Sequence, residues 1–520
     1  MRSLVMADIQ HMRIQHLRIA ALFAFSASGT ALLTQAAPVP FSAQPSYDNR
    51  TQAQLDPRAV QQGATDSVRI TRAAALSALA TIVIPEKDSV RGSITLPTRI
   101  PALRGAKVIW TSSNRGVVSD AARGAVAAGV VTRPTPGRSA AKVALRACVT
   151  TVSANAACRE FQLTVLPAVR LAQFSRYGMV NFARSNSQAG QQIYMASSVA
   201  NDPTEWVALN GGKPVFESRY GMRGVRDPSL IRSPEGDKFF LVATDLNVDS
   251  RENGWQGWDW AQSGTSRYIE VWESTDLKSW SAQRHVLVAP EEAGMTFAPE
   301  AIWDPAIQAY VVYWTSSMYD AGTHFSMNRS DPKGRLPITR NQTLYATTRD
   351  FVNFTPPQVM INRPAHGTLD AVIIGDDARE FFYRFVSDRI STGVGTTRYV
   401  SSCNSEDIYQ ERATSVLAPP DQWKLVAGCL THSTMNTTYA EAPMVVKANP
   451  GDAHGAGYYF WADQKWAGSP SGNAMEEQLH PYWSSSLASG QWTPIEWKRK
   501  PDYDLALGVL RHGNVFALTP

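Results

Sequence analysis

Five polar residues recur along the chain at nearly constant spacing. Asp227, Glu300, Asp370, Glu441 and His512 stand 73, 70, 71 and 71 residues apart. Each opens the same kind of segment, a polar residue followed by an apolar strand: Asp227-Pro-Ser-Leu-Ile, Glu300-Ala-Ile-Trp-Asp, Asp370-Ala-Val-Ile-Ile, Glu441-Ala-Pro-Met-Val-Val and His512-Gly-Asn-Val-Phe. A long repeat of this kind is the mark of units that bury their faces against one another. If the units close into a ring, all five side chains point to one mouth.

A second marker keeps the same period. Trp206, Trp280, Phe354, Trp423 and Trp492 end successive units at spacings of 74, 74, 69 and 69. Within the units, short runs rich in β-branched and aromatic residues read as strands, such as Phe239-Phe-Leu-Val-Ala-Thr, Tyr310-Val-Val-Tyr-Trp and Tyr458-Tyr-Phe-Trp. The unit opened by His512 has one strand only. Its missing partners lie at the other end of the region, Met179-Val-Asn-Phe-Ala and Gln192-Ile-Tyr-Met-Ala-Ser. The expectation is an all-β chain whose region 168–520 is a five-bladed β-propeller, closed by pairing its last strand with its first, which leaves no exposed sheet edge.

Upstream, Arg13 and Arg18 precede an apolar stretch from Ile19 to Phe25, extended by Ala31-Leu32-Leu33 and followed by small residues to Ala36. Residues 1–36 read as a secretory signal, so the expected location is extracellular or periplasmic. Residues 37–70 read as a flexible linker and 71–167 as a small immunoglobulin-like β-sandwich. The four cysteines agree with export. The most local pairing joins Cys148 to Cys158 across a hairpin tip and Cys403 to Cys429, out of three connectivities.

The net charge is +5, and about +2 of it belongs to the first 36 residues. The rest is thinly spread, so neither a nucleic-acid groove nor a basic membrane face is expected. A monomer is expected.

Two carboxylates flanking a glycosidic bond are the minimum apparatus for its hydrolysis, one protonated to release the leaving oxygen and one ionised to activate water. A third negative charge nearby keeps the proton on the acid. Val225-Arg226-Asp227-Pro228-Ser229, Phe297-Ala298-Pro299-Glu300, Thr368-Leu-Asp370-Ala-Val, Glu441-Ala442-Pro443 and Arg511-His512-Gly513 resemble the blade motifs of glycoside hydrolase family 43, over 171–520. Val108-Ile-Trp-Thr-Ser-Ser-Asn with Val130-Val-Thr-Arg-Pro resembles the atrophied bacterial immunoglobulin-like domain.

The family resemblance implies an inverting reaction with Asp227 as general base, Asp370 as modulator and orienter, and Glu441 as general acid. Glu300 is expected to bind substrate or orient a neighbour, with a buried ion pair as the competing reading. His512 is expected on the ring axis. It is either a hydrogen-bonded histidine in contact with substrate or the water-mediated holder of a calcium or sodium ion; no cofactor is required. Trp258, in a Trp-rich loop, either stacks a sugar or packs the loop. Ala442 stands where glycine is commoner in the family, which adds a methyl beside the acid. Asp245 ends a strand and reads as structural, and Asp237, Asp376 and Asp377 read as solvated turn residues.

The resulting expectation is an exo-acting hydrolase that releases arabinofuranosyl or xylosyl units from plant-type polysaccharides or oligosaccharides. Galactan or arabinan substrates remain open, as does a non-catalytic carbohydrate-binding propeller. A fructan-active enzyme is disfavoured, because the first blade has Arg-Asp-Pro-Ser in place of Asn-Asp-Pro-Asn.

Overall fold

In the computed structural model the described residues are 70–520 except 104–105, 152–155, 184–190, 249–260, 263, 320–340, 364–366, 390–405, 436, 467–477 and 504–509. The signal, nearly all of the linker, Trp258 and Cys403 lie outside them.

The N-terminal domain begins with a helix, α1 (Arg72–Ala80), where the sequence pattern implies an all-β segment. Its composition, Arg-Ala-Ala-Ala-Leu-Ser-Ala-Leu-Ala, is rich in strong helix formers. Thr71 caps it, its hydroxyl accepting from the Ala74 N–H at 3.2 Å. The helix packs on a three-stranded antiparallel sheet of β1 (Ile109–Ser112), β2 (Ala141–Val149) and β3 (Ala157–Val165). Elsewhere in the domain, single bridges such as Val118–Val131 and Val90–Val165 replace continuous ladders. Cys148 and Cys158 are register partners on β2 and β3 and form the expected disulfide. Cys429 is also disulfide-bonded; its expected partner, Cys403, lies outside the described residues.

Five four-stranded antiparallel sheets follow. Blade V takes its first residues from the start of the region: β4 (Arg176–Ala183), β5 (Gln192–Ser198) and β6 (Trp206–Ala208). Blade I is β7 (Val225–Arg232), β8 (Phe239–Asp245), β9 (Tyr268–Ser274) and β10 (Arg284–Leu287). Blade II is β11 (Phe297–Asp304), β12 (Ala309–Ser316), β13 (Gln342–Thr348) and β14 (Gln358–Ile361). Blade III is β15 (Gly367–Gly375), β16 (Phe382–Arg389), β17 (Ile408–Ala413) and β18 (Lys424–Ala427). Blade IV is β19 (Thr437–Lys447), β20 (Tyr458–Trp466), β21 (Gln478–Ser484) and β22 (Thr493–Pro494). The last strand, β23 (Leu510–Leu518), pairs antiparallel with β4 and completes blade V, with Asn514 opposite Val180. The inner strands touch in cyclic order, β7 to β11, β15, β19, β23 and back to β7. The ring is closed as the sequence repeat implied.

Apolar clusters fill the five spaces between blades. Alternation along each strand sends side chains to both neighbours. On β12, Val311 and Tyr313 pack toward blade III while Val312 and Trp314 pack toward blade I. Burial on both faces is why these strands read as continuous apolar runs. Each cluster holds one residue of the aromatic series: Phe354, Trp423, Trp492, Trp206 and Trp280. The series therefore marks one inter-blade seam per unit.

The sandwich docks on turns of blades I and II, at the strand ends opposite those that carry Asp227 and Phe297. Arg133 grips Asp237 through two contacts of 2.7 and 2.8 Å, and Arg91 adds a third at 3.0 Å. Asp237 is thus buried at a domain interface, which corrects its reading as a solvated turn residue. A local sequence window cannot see a partner 104 residues away.

Candidate active site

Every inner strand carries a β-bulge near its start. Pairing skips between Arg226 and Ser229, Phe297 and Glu300, Leu369 and Val372, Glu441 and Met444, and Leu510 and Gly513. Three bulges contain a proline, Pro228, Pro299 or Pro443, which cannot donate to a ladder and so favours a break in pairing. The first bulged residue is left-handed in four blades: Asp227 (φ 49°), Ala298 (φ 46°), Asp370 (φ 50°) and Ala442 (φ 58°). Such a conformation costs a non-glycine residue about 1 kcal/mol, and less for Asp, whose short side chain bonds locally.

The bulge is the true structural phase, and it corrects the expectation that five residues share one position. Asp227 and Asp370 are equivalent, together with Ala298 and Ala442. Glu441 precedes the bulge by one residue, His512 is its second member, and Glu300 follows it. Asp227, Asp370, Glu441 and His512 nonetheless line one cavity of about 140 Å³, with Arg226, Arg511, Asp463, Tyr439 and Phe182 among its other walls. Glu300 does not line it. It faces a second space of about 330 Å³ with Asn514 and Val372, where its carboxylate accepts from Ser229 Oγ at 2.5 Å. Burial pushes Glu300 up to about 7, against the Ser229 hydrogen bond and the charge of His512.

Electrostatics separate the members of the cavity. Burial opposes the charged form of Asp227, but the His512 hydrogen bond and the charges of Arg226 and His512 outweigh it, with Thr244 adding a further bond, and hold the carboxyl below its usual value. His512 Nδ1 lies 3.4 Å from Asp227 Oδ1. Burial works against the imidazolium too. The bond to Asp227 and the charges of Asp370, Asp227 and Asp463 overcome this and push His512 up to about 9. At neutral pH the pair is imidazolium and carboxylate.

Glu441 is held from two sides. Arg511 Nη2 donates to Oε1 at 3.1 Å, and the Tyr439 hydroxyl donates to Oε2. Asp463, fully buried and opposite Glu441 across the β19–β20 ladder, fixes Arg511 by accepting from Nε at 2.7 Å; it also accepts the His512 N–H at 3.1 Å. Phe182 carries the Arg226 guanidinium at 4.4 Å from its ring centre. Four carboxylates thus face three cations around one opening.

Sequence reasoning did not single out Arg226, Arg511, Tyr439 or Asp463. Two signals were present: both arginines sit beside predicted residues inside the quoted motifs, and Tyr439 is two residues from Glu441, on the same face of a strand. Asp463 had no local signal, because its role comes from cross-strand pairing.

Residues 172–520 match the family-43-related model described as a probable glycosyl hydrolase domain, and residues 72–168 match the atrophied bacterial Ig domain. An α-L-arabinofuranosidase of Bifidobacterium longum is 32% identical over 337 residues, 61% of this chain and 30% of that relative's length. The chain therefore spans under a third of the curated relative it matches. Among solved structures, a thermostable family-43 glycoside hydrolase superposes with a TM-score of 0.34 at 15% identity, covering 55% of this chain and 76% of its own. An α-L-arabinofuranosidase from Lactobacillus brevis gives 0.32 at 12% identity, covering 52% and 72%.

Proposed function

The chain belongs to the family of probable glycosyl hydrolase domains related to family 43, and on that premise we propose that it is an exo-acting, inverting glycosidase that releases pentose units from plant-type polysaccharides or oligosaccharides. The observation that carries this reading is the gathering of Asp227, Asp370, Glu441 and His512 around one cavity at the centre of the ring. Asp227, kept ionised by His512, removes a proton from water as its oxygen attacks the anomeric carbon. Glu441 gives a proton to the leaving oxygen from the other side of the bond, so the configuration inverts. Asp370 supports the pair: its charge keeps His512 protonated, and His512 in turn keeps Asp227 ionised. Arg511 and Tyr439 hold the Glu441 carboxyl in place. No step runs through a metal ion.

The favoured substrate is an α-L-arabinofuranoside, the substrate class named by the Bifidobacterium relative, with a β-D-xyloside as the nearest alternative in shape. Export is part of the proposal, because a disulfide between Cys148 and Cys158 suits an oxidising compartment. The test is hydrolysis of nitrophenyl arabinofuranoside, xyloside and galactoside by the wild type and by Asp227→Asn and Glu441→Gln. Asp227→Asn is expected to lose roughly 10²–10⁴-fold in kcat on the nitrophenyl substrate, and Glu441→Gln the same on an arabino-oligosaccharide, whose leaving alcohol needs a proton. Wild-type-like turnover by either variant on that substrate rejects its assigned role.

A further inference from the structure

Blade I carries a second group of titratable side chains outside the cavity. Asp245 ends β8, Glu270 lies on β9 and His285 on β10, three neighbouring strands of one sheet. Glu270 and His285 are register partners. One donor atom from each of the three residues lies within 4.8 Å of the others. We propose that Asp245, Glu270 and His285 form a divalent-cation site set behind the wall of the catalytic cavity.

Three observations support the site. Both carboxylates are buried, Glu270 at 0% and Asp245 at 1% exposure, and His285 is the one cationic group that the structure sets against them among the described residues. Among the described residues two buried carboxylates thus face a single imidazole, and a buried charge needs a partner or a metal. Asp245 also has an oxygen to give. Its Oδ1 accepts the Met222 N–H at 2.8 Å and the Ser266 hydroxyl stands beside the carboxyl, while Oδ2 is buried without a hydrogen bond of good geometry. The chain closes tightly over this oxygen. Gly221, left-handed at φ +53°, is the residue whose added Cβ would lie 1.9 Å from Oδ2, so only glycine allows the approach.

The donor set chooses the ion. Two carboxylate oxygens and one imidazole suit zinc or manganese better than calcium, which favours six to eight oxygens. Donors at about 2.0–2.2 Å from one ion lie about 3.0–4.4 Å apart, so closing on it draws the widest pair in by a few tenths of an ångström and parts the hydrogen-bonded Glu270–His285 pair by about half an ångström or more. His285 Nδ1 lies 2.5 Å from Glu270 Oε1, and the proton shared there is released when the ion binds. His285 is the accessible ligand: its side chain is 24% exposed and stacked on Tyr268 at 3.9 Å. The site has a structural consequence for the cavity. Leu246, next to Asp245, lines it, and Val225, the register partner of Asp245, lies two residues before Asp227. An ion here fastens the strand ends that carry the base.

The test uses the full chain, stripped with chelator and titrated with Zn²⁺ and, separately, Mn²⁺. Calorimetry reads stoichiometry and proton release, electron paramagnetic resonance reads bound Mn²⁺, and thermal melting reads stabilisation. One equivalent is expected to bind to the wild type and to His512→Gln, with release of a proton and a rise in Tm. Binding at least tenfold weaker is expected for Asp245→Asn and His285→Ala. Because His285 sits at the exposed rim, His285→Ala carries the test if Asp245→Asn does not fold. The proposal is overturned if the wild type shows no saturable binding at micromolar metal, or if binding survives His285→Ala unchanged.

Discussion

His512 is the first of the groups that hold Asp227 ionised against its own burial, ahead of Arg226 and Thr244. Replacing it with glutamine keeps a hydrogen-bonding side chain and removes the charge. The Asp227 carboxyl then rises, so the acidic limb of the kcat/KM profile of His512→Gln should move to higher pH; an unmoved limb would show that Asp227 is not the base or that His512 does not tune it. The sign for stability follows from the same pair. A histidine raised from 6.5 to about 9 in the fold contributes stability that is full below pH 6.5 and lost as pH rises through about 9. That loss should be absent from His512→Gln in urea melts between pH 6 and 10. Much of this chemistry was legible in the sequence, since Asp227, Asp370, Glu441 and His512 are the polar residues that recur at the period of the repeat. Glu300 was misplaced because its offset of two residues along the strand is absorbed by a bulge, and a bulge is defined by pairing, which a single strand does not display.

At the scale of the element, the inner strand with its bulge is the repeated object, and the joint that closes the ring is tightly packed. A Cβ on Gly513, just past the bulge of β23, would lie 1.8 Å from the Val180 carbonyl oxygen and 2.8 Å from the Asn181 Cα on β4. Both obstacles are backbone, so Gly513→Ala must push the closing strand away from its partner. The expected cost is about 1–3 kcal/mol, read as a lower urea midpoint, whereas an unchanged midpoint would mean that β23 has slack that the register does not suggest. The closure itself was readable, because the unit opened by His512 lacked partners that the residues after 168 could supply. Helix α1 was not, since nine alanine-rich residues carry a weak periodicity and lay beside segments patterned as strands.

Over the whole molecule, the sandwich and the active cavity occupy opposite ends of the strands of blades I and II. The sandwich supplies no cavity wall among the described residues, and its described contacts are with the turns at the far strand ends. Arg133, only 3% exposed, joins Asp237 to the carbonyls of Leu166 and Arg91. Arg133→Met should lower stability by about 3 kcal/mol, the cost of leaving a buried carboxylate short of a partner, and should leave KM for a nitrophenyl glycoside unchanged; a large change in KM would place the sandwich in the site after all. The propeller in turn brings residues from five blades, separated by hundreds of positions, to one opening, where the proposed base and acid stand. The most direct test of that account is the anomer first released from nitrophenyl α-L-arabinofuranoside, followed by NMR before mutarotation. The account predicts the inverted anomer, β-L-arabinofuranose, whereas first release of the retained α anomer would contradict it, because Asp227 would then be attacking the sugar itself and not activating water.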